Sequence, residues 1–502
     1  MKIDDPALAA NPPAAVSAAL PAAVPAVLPT VQSTGTKTAA PALADGLEAP
    51  DALGTPRRIA LVSDHASPLA APGSIDCGGQ NVYVAQLARE LARAGHRVDV
   101  FTRRDAIGQR QVVQWHDGVR VINVPAGPAH HVPKEQMLPY IEAFARFVTR
   151  FIKRDARHQG APYDIVHANF FMSGMVARHL KQTLGIPFVI TFHALGQVRR
   201  LAQGTADAFP PARVRIEHTL MQDADRIIAE CSQDRQDMER LYGASPARIA
   251  VVPCGFDPDE LWPMERTAAR SLLGVERAPF TVLQLGRIVP RKGVDTVIEA
   301  IALLRAHHGI DARLLVVGGD AGGVVGSAAE GAAGGRAGKP AVAGPSGSGR
   351  DAPELARLQA LAHRLGIGPD VHFVGQQPRD ALRHYYGAAD VFVTTPWYEP
   401  FGITPVEAMA CARPVIGAEV GGIKSTVVDG STGYLVPSRD PQAVAARLAT
   451  LQRDPGLARA MGEAGLRRAG QHYTWRIVAR QAAAVYAAVL AEACARIPMT
   501  HP

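Results

Sequence analysis

Two glutamates stand eight residues apart in the stretch Glu399-Pro-Phe-Gly-Ile-Thr-Pro-Val-Glu407. The apolar segment 405–411 predicts a helix, because proline is tolerated in a first turn where its missing N–H has no partner. Phe401 and Gly402 then lie in the loop before the helix N-terminus, where free N–H groups and the helix dipole favour an anion. Glu407 can accept hydrogen bonds from a ribose diol. The stretch therefore predicts a site for a phosphorylated, hydroxyl-rich ligand, although two glutamates at this spacing are also common as solvated residues.

Composition restricts the class of protein. A length of 502 residues predicts two domains, and 47% hydrophobic residues suffice for two cores. The chain lacks an uninterrupted apolar run of about 20 residues, so we expect no membrane-spanning helix. Five scattered cysteines, none in C-x-x-C, fit a reducing cytoplasm, and we expect a cytoplasmic protein.

The formal net charge of +7 suits anionic ligands and leaves a peripheral contact with an anionic membrane open. The sequence has no stripe of basic residues interleaved with aromatic residues, which nucleic-acid binding would need. We therefore expect no nucleic-acid partner. The oligomeric state is left open.

A βαβ pattern begins the ordered part of the chain. The apolar run 58–64 predicts a strand, Gly78-Gly79 lies in the following loop, and 82–94 has helical spacing before a strand at 97–102. Glycines at that point let backbone N–H groups approach a phosphate. Further predicted strands of this domain are 164–168, 188–192, 226–229 and 249–252.

The pattern then restarts in a second half. Strands are predicted at 280–286, 313–318, 371–374, 391–394 and 414–417, with helices at 293–307 and 353–365. We therefore predict an α/β fold of two Rossmann-like, doubly wound domains, 57–264 and 265–474, that face a central cleft. Ligands of such sheets bind at the carboxyl ends of the strands.

Two segments have a composition that cannot build a core. Residues 1–56 are dominated by Ala and Pro and predict a disordered tail. Residues 321–351 consist mainly of Gly, Ala, Ser and Pro and predict a flexible insertion in the second domain.

The longer phrase from Trp397 through Glu407 to Gly421-Gly422 resembles the E-x7-E signature of the retaining GT-B glycosyltransferases of family four. These include sucrose-phosphate synthases and the mycothiol-pathway inositol-phosphate glycosyltransferases. The resemblance covers about 57–490 without the insertion. It implies retaining, metal-independent transfer of a hexosyl group from a nucleotide sugar, with UDP-glucose favoured and GDP-mannose second, and no cofactor. It also implies that a helix over 475–495 crosses back onto the first domain.

The resemblance implies roles for individual residues. Gly286-Arg287-x3-Arg291-Lys292-Gly293 is similar to the family's donor-phosphate motif, and the histidine at the end of strand 188–192 matches one near the donor sugar. That histidine is expected to contact the reacting centre rather than to act as a base. The expected catalytic residues are His193, Arg287, Lys292 and Glu399. The expected donor-binding residues are Gly78, Gly79, Val374, Phe401, Gly402, Ile403 and Glu407.

The acceptor site resembles the family less closely. The expected acceptor-binding residues are Asn81, Lys134 and Arg215, with Arg213 as the alternative to Arg215. Two hydroxyl-bearing phosphate contacts of the mycothiol transferases fall here on Phe170 and Ala194. Neither inositol phosphate nor fructose 6-phosphate is therefore favoured as the acceptor.

Two acidic pairs have the same spacing as the metal-binding D-x-D motif of the other glycosyltransferase fold. We interpret Asp223-Ala-Asp225 and Asp257-Pro-Asp259 as helix and loop carboxylates, and we expect no metal site. Two other function classes stay open. One is a non-catalytic nucleotide-sugar sensor, and the other is a Rossmann oxidoreductase, which would need G-x-G-x-x-G directly after a strand. Gly78-Gly79 and Gly318-Gly319 do not meet that requirement.

Overall fold

The first sheet has the order β3-β4-β2-β1-β5-β6-β7-β8 in a computed structural model that describes residues 55–70, 78–204, 207–275, 279–319 and 352–495. Most of the predicted tail, the predicted insertion and the loop 71–77 lie outside these ranges. The strands of this sheet are β1 (Arg58–Val62), β2 (Arg97–Arg103), β3 (Val112–His116), β4 (Val119–Val124), β5 (Ile165–Asn169), β6 (Phe188–Thr191), β7 (Arg226–Ala229) and β8 (Ile249–Val251).

Helices cover both faces of this sheet, which explains why β1, β5 and β6 are buried along their whole length. All neighbouring strands of this sheet except β3 and β4 run parallel, with Ile59 of β1 opposite Val98 of β2 and Ile165 of β5. The helices are α1 (Gly79–Arg93), α2 (Ile141–Gln159), α3 (Phe171–Leu184), α4 (Gly196–Gln203), α5 (Ala212–Asp223) and α6 (Ser232–Tyr242).

The hairpin β3–β4 was not predicted from the sequence, and β3 runs antiparallel to β4 at the sheet edge. Residues of β3 alternate between exposed and partly buried positions, so the strand carries no continuous apolar run. The dipeptide Asp117-Gly118, with Gly118 at φ 74°, is a hairpin signal that could have indicated it.

The second sheet is parallel throughout, in the order β11-β10-β9-β12-β13-β14. Its strands are β9 (Phe280–Leu285), β10 (Ala312–Val317), β11 (Val371–Gly375), β12 (Val391–Thr394), β13 (Val415–Ala418) and β14 (Gly433–Val436). The accompanying helices are α7 (Arg266–Leu272), α8 (Val294–His308), α9 (Ala352–Arg364), α10 (Leu382–Ala388), α11 (Ile403–Ala410), α12 (Ile423–Thr426), α13 (Pro441–Arg453) and α14 (Pro455–His472). Two doubly wound α/β domains confirm the predicted fold class, whereas the residue at which they divide stays a prediction.

The last described helix, α15 (Trp475–Ala495), packs against α1 of the first domain. The rings of Trp475 and Tyr83 meet edge to face at 5.8 Å, and the Tyr486 hydroxyl lies 2.7 Å from Nδ1 of His167. Among the described residues, α15 alone is long and apolar enough to cross a membrane, although buried residues along one side hold it on the protein. One such helix is weak evidence for a membrane span.

Candidate active site

The N-termini of α1 and α11 face each other across the cleft between the two sheets. A Cβ placed on Gly79 would lie 3.5 Å from Cδ1 of Ile403, so the two first turns are in contact distance. Gly78 caps α1 and Gly402, at φ 87°, caps α11. Two helix N-termini directed at one space form a binding place for a polyanion.

Asn81 holds the loop before α1 in place. Its Oδ1 accepts the Gly78 N–H at 3.0 Å, and its Nδ2 donates to the Ser67 carbonyl at 3.0 Å. The side chain is only 7% exposed. The structure thus gives Asn81 a part in shaping the phosphate-facing loop, and its predicted contact with the acceptor stays a prediction.

Glycines shape the loop that carries the first glutamate of the signature. Gly421 has φ 47°, and a Cβ there would stand 1.8 Å from the Glu399 carbonyl oxygen. The Gly422 N–H donates to that same carbonyl at 3.1 Å. Phe401, 3% exposed, anchors the loop by packing edge to face on Tyr473. The Gly421-Gly422 pair is therefore required for a close approach of two loops.

Glu399 forms an ion pair with Lys292, which enters the cleft from the turn before α8. Burial lowers the pKa of Lys292, and the charge of Glu399 opposes that shift. Burial alone would raise the pKa of Glu399, but the charges of Lys292 and Arg291 outweigh it and hold this pKa below its usual value. The Glu399 carboxylate is thus ionised at neutral pH and faces Lys292 in a partly buried position.

Two arginines increase the positive charge around Lys292. The positive charges of Arg287 and Arg291 both lower the pKa of Lys292, because like charges nearby disfavour its protonated form. Arg287 is exposed, whereas the Arg291 guanidinium lies 5.4 Å from the centre of the Tyr398 ring. Gly293, at φ 66°, lets this turn pass against Thr395, whose hydroxyl donates to the Gly293 carbonyl at 2.7 Å. The three cations lie in the segment between β9 and α8, and their role as a diphosphate clamp stays a prediction.

His193 follows β6 with a left-handed backbone, φ 57°, which is costly for a residue with a side chain. Its Nδ1 lies 2.8 Å from the buried Glu230 carboxylate and its Nε2 lies 3.0 Å from Oδ1 of Asn169. The Asn169 amide nitrogen in turn donates to the Val62 and His167 carbonyls, each at 3.4 Å. The contacts with Glu230 and Asn169 fix the orientation of the ring, and the role of His193 at the reacting centre stays a prediction.

A buried network fixes the loop that follows His193. The Glu217 carboxylate accepts the Gly196 N–H at 2.9 Å and Nε of Arg213 at 2.7 Å. The Tyr242 hydroxyl donates to Glu217 and accepts the N–H of Gln197 at 2.8 Å. Glu217 is fully buried and therefore takes the place of an external anion at the N-terminus of α4.

Arg213 and Arg215 lie on different sides of α5. The Arg213 guanidinium is buried, donates to the Ala194 carbonyl, and lies 4.4 Å above the Phe209 ring and 4.8 Å above Phe170. Arg215 is exposed. Lys134 lies in a short 3-10 turn after β4 and is partly buried. The acceptor-binding roles of Lys134 and Arg215 stay predictions.

Glu407 lies in the second turn of α11, because the helix starts two residues before the predicted start. It is 2% exposed, and its two oxygens accept from Nη1 of Arg379 at 3.1 Å and from the Tyr386 hydroxyl at 2.9 Å. Val374 is partly buried near the end of β11, where its carbonyl accepts from Gln377 at 3.5 Å.

The residues that sequence reasoning missed are side chains that hold the predicted ones. They are Glu230, Glu217, Tyr242, Arg379 and Tyr386. A charged residue directly after a buried strand, as Glu230 is after β7, was a signal for the first of them.

A cavity of about 110 Å³ opens between the domains beside Glu399. Leu195 and Asp234 line it from the first domain, and Tyr398 and Pro400 line it from the second. A larger hollow of about 360 Å³ lies at the amino ends of β6 and β7, away from this edge of the sheet.

Within the described ranges, groups of three or more His, Cys, Asp or Glu that could hold a metal ion are absent. Asp223 pairs with Arg178, and Asp225 accepts from Lys181 at 2.8 Å. Asp257 caps its own loop by accepting the Asp259 N–H at 2.9 Å. Both D-x-D segments therefore have carboxylates that form ion pairs or hydrogen bonds within the protein.

Two family models match the chain, one for each half. Residues 78–255 match a glycosyl transferase 4-like domain, and 266–468 match glycosyl transferases group 1. The chain is 35% identical over 432 residues to a D-inositol 3-phosphate glycosyltransferase of Kribbella flavida, covering 86% of this chain and 95% of that one. A protein of the same name from Kineococcus radiotolerans is 37% identical over 441 residues, with the same two coverages.

A solved structure agrees with these matches. The sucrose-phosphate synthase from Thermosynechococcus elongatus superposes with a TM-score of 0.74 at 31% identity, covering 87% of this chain and all of that one. The cleft, the cations beside Glu399 and these matches lead to one assignment. The chain belongs to the group 1 glycosyltransferases, and it is an enzyme of GT-B fold that uses a nucleotide-sugar donor.

Proposed function

We propose that the protein transfers a hexosyl group, with retention and without a metal ion, from a nucleoside diphosphate sugar to a hydroxyl group. UDP-glucose is the proposed donor and GDP-mannose the second choice, an order that rests on the family resemblance. The observation that carries the proposal is the Lys292–Glu399 ion pair, which lies beside two opposed helix N-termini. Lys292, together with Arg287, Arg291 and the helix N-termini, is proposed to supply the positive charge that a leaving diphosphate needs.

In the proposed step, the acceptor oxygen bonds to the anomeric carbon on the face from which the diphosphate departs. The bond between that carbon and the phosphate oxygen breaks, and the acceptor's proton passes to the departing phosphate oxygen. Lys292 and Arg287 stabilise the negative charge that develops on the diphosphate. We propose that Glu399 holds sugar hydroxyls and that Glu407 holds the ribose diol.

The acceptor is proposed to be a hydroxyl of a sugar, a sugar phosphate or a related polyol. Relatives named D-inositol 3-phosphate glycosyltransferase and sucrose-phosphate synthase support a small phosphorylated acceptor. Glu217 already occupies the N-terminus of α4, so an acceptor phosphate would bind elsewhere. Lys134 is the residue we propose for that contact.

The test is release of nucleoside diphosphate in the presence of EDTA. UDP-glucose, UDP-N-acetylglucosamine and GDP-mannose are each supplied with and without a set of sugar and cyclitol phosphates, and Lys292→Ala serves as the blank. We expect acceptor-dependent release from one donor, with a product whose anomeric configuration, measured by NMR, matches the donor. Loss of activity in EDTA would contradict metal independence, and an inverted product would contradict retention. Tight donor binding without turnover would favour a nucleotide-sugar sensor.

A further inference from the structure

Two hydrogen-bond donors of the second domain hold the Glu407 carboxylate in position. Its carboxylate is almost fully buried, and Arg379 and Tyr386 each donate to a different oxygen, at 3.1 and 2.9 Å. A buried carboxylate needs such partners, because an uncompensated charge is costly away from water. One donor on each oxygen fixes the plane of the carboxylate and leaves lone pairs for a diol.

Arg379 is itself held from the other side of the cleft. Its Nε forms an ion pair with Glu260, which lies in the segment between β8 and α7 that joins the two sheets. The other Glu260 oxygen accepts from Nε2 of Gln86 at 3.3 Å, and Gln86 is a buried residue of α1. A continuous line of hydrogen bonds therefore runs from the first domain to Glu407.

We propose that Arg379 is a positioning residue for Glu407, and that Glu260 and Gln86 make the binding of the donor nucleoside depend on the arrangement of the two domains. The inference rests on the proposed function in one respect, the binding of the ribose diol by Glu407. Arg379 suits the task because its planar guanidinium bonds two carboxylates at fixed angles.

The test measures the affinity of UDP and of 2′,3′-dideoxy-UDP by calorimetry, so it requires no acceptor. The variants are Arg379→Met, Glu407→Ala and, as a matched control, Arg383→Met. Arg383 lies on the neighbouring helix α10 with its guanidinium 4.3 Å from the centre of the Trp262 ring. We expect Arg379→Met to weaken UDP about tenfold or more, as for loss of a charged hydrogen bond. The control should stay within about twofold.

A purely structural role is excluded by the deoxy analogue. If Arg379 acts through Glu407 on the diol, the same substitution should change the affinity of dideoxy-UDP by less than about threefold, because the two losses overlap. Equal losses for both ligands would overturn the inference. Failure of wild-type protein to bind UDP, or full UDP affinity in Glu407→Ala, would instead contradict the proposed function.

The interdomain part has its own variants. Glu260→Gln and Gln86→Ala alter residues on the far side of Arg379 from Glu407, and we expect each to weaken UDP by about three- to tenfold. Arg379→Lys, which keeps the charge but loses the planar fork, should lie between wild type and Arg379→Met. If Arg379→Met does not fold, Arg379→Lys and Glu260→Gln still decide the question. UDP affinity at the wild-type level in both Glu260→Gln and Gln86→Ala would overturn the coupling.

Discussion

Gly79 in the first domain and Ile403 in the second are the first residues of α1 and α11, and only 3.5 Å would separate a Cβ on Gly79 from Cδ1 of Ile403. The two helices come from different sheets, so their N-termini can share a ligand only while the domains stand close together. The proposed diphosphate site therefore belongs to neither domain alone.

Lys292→Ala should lower the turnover rate at least about 100-fold, the usual cost of removing one electrostatic donor from a transition state. The control is Lys153→Ala, because Lys153 is an exposed cation on α2. Both variants are assayed for nucleoside diphosphate release with a saturating donor. A wild-type rate in Lys292→Ala would contradict the proposed clamp.

The rate should fall at alkaline pH as Lys292 loses its proton. Burial places the pKa of Lys292 below its usual value, and the Glu399 charge partly restores it. Glu399→Gln removes that restoring charge, so the Lys292 pKa should fall further and the alkaline limb should move to lower pH. The measurement is the pH profile of kcat/KM for the donor in both proteins. An unmoved limb, or one moved to higher pH, would show that Lys292 does not control it.

Gly421→Ala should be much more damaging than Gly430→Ala. Both glycines have positive φ, at 47° and 72°, so both alanines carry the left-handed penalty of about 1–2 kcal/mol. Only Gly421 also has a carbonyl oxygen 1.8 Å from the new Cβ, whereas nothing lies within 4 Å at Gly430. Thermal unfolding and donor affinity should both show the difference. Equal effects would mean that the loop carrying Glu399 can move aside.

Tyr242→Phe should slow turnover about tenfold and lower the free energy of unfolding by about 1–3 kcal/mol, because it leaves the Gln197 N–H without its acceptor and removes one of the donors to Glu217. Tyr434→Phe in β14 of the other domain is the comparison, since that ring keeps its contact with Arg447 of α13. Nucleoside diphosphate release gives the turnover rate, and chemical denaturation gives the free energy of unfolding. If stability falls but turnover is unchanged, the network does not position His193.

Prediction from the sequence succeeded where the signal is local. Strands β7 and β12 have the predicted bounds, because each is a short apolar run with clear ends, and α15 spans the residues that the family resemblance implied. The hairpin β3–β4 was missed because an edge strand exposes one side. At the candidate site, glycines and prolines indicated the loops that precede α1 and α11, since their backbone requirements are properties of single residues.

Local sequence patterns were enough to identify the two α/β domains, the glycine-bearing loops and the charged residues beside them. Which of these charges meet depends on tertiary packing. Lys292 and Glu399 are 107 residues apart, and Glu230 reaches His193 from a different strand, so no spacing rule links either pair. Tertiary packing also decided that Arg213 is held internally by Glu217 and Ala194, while its neighbour Arg215 faces solvent. Which side chains are buried, and which partners they meet, depends on how whole helices and strands pack. Residues far apart in the chain determine that packing together, so no single segment predicts it.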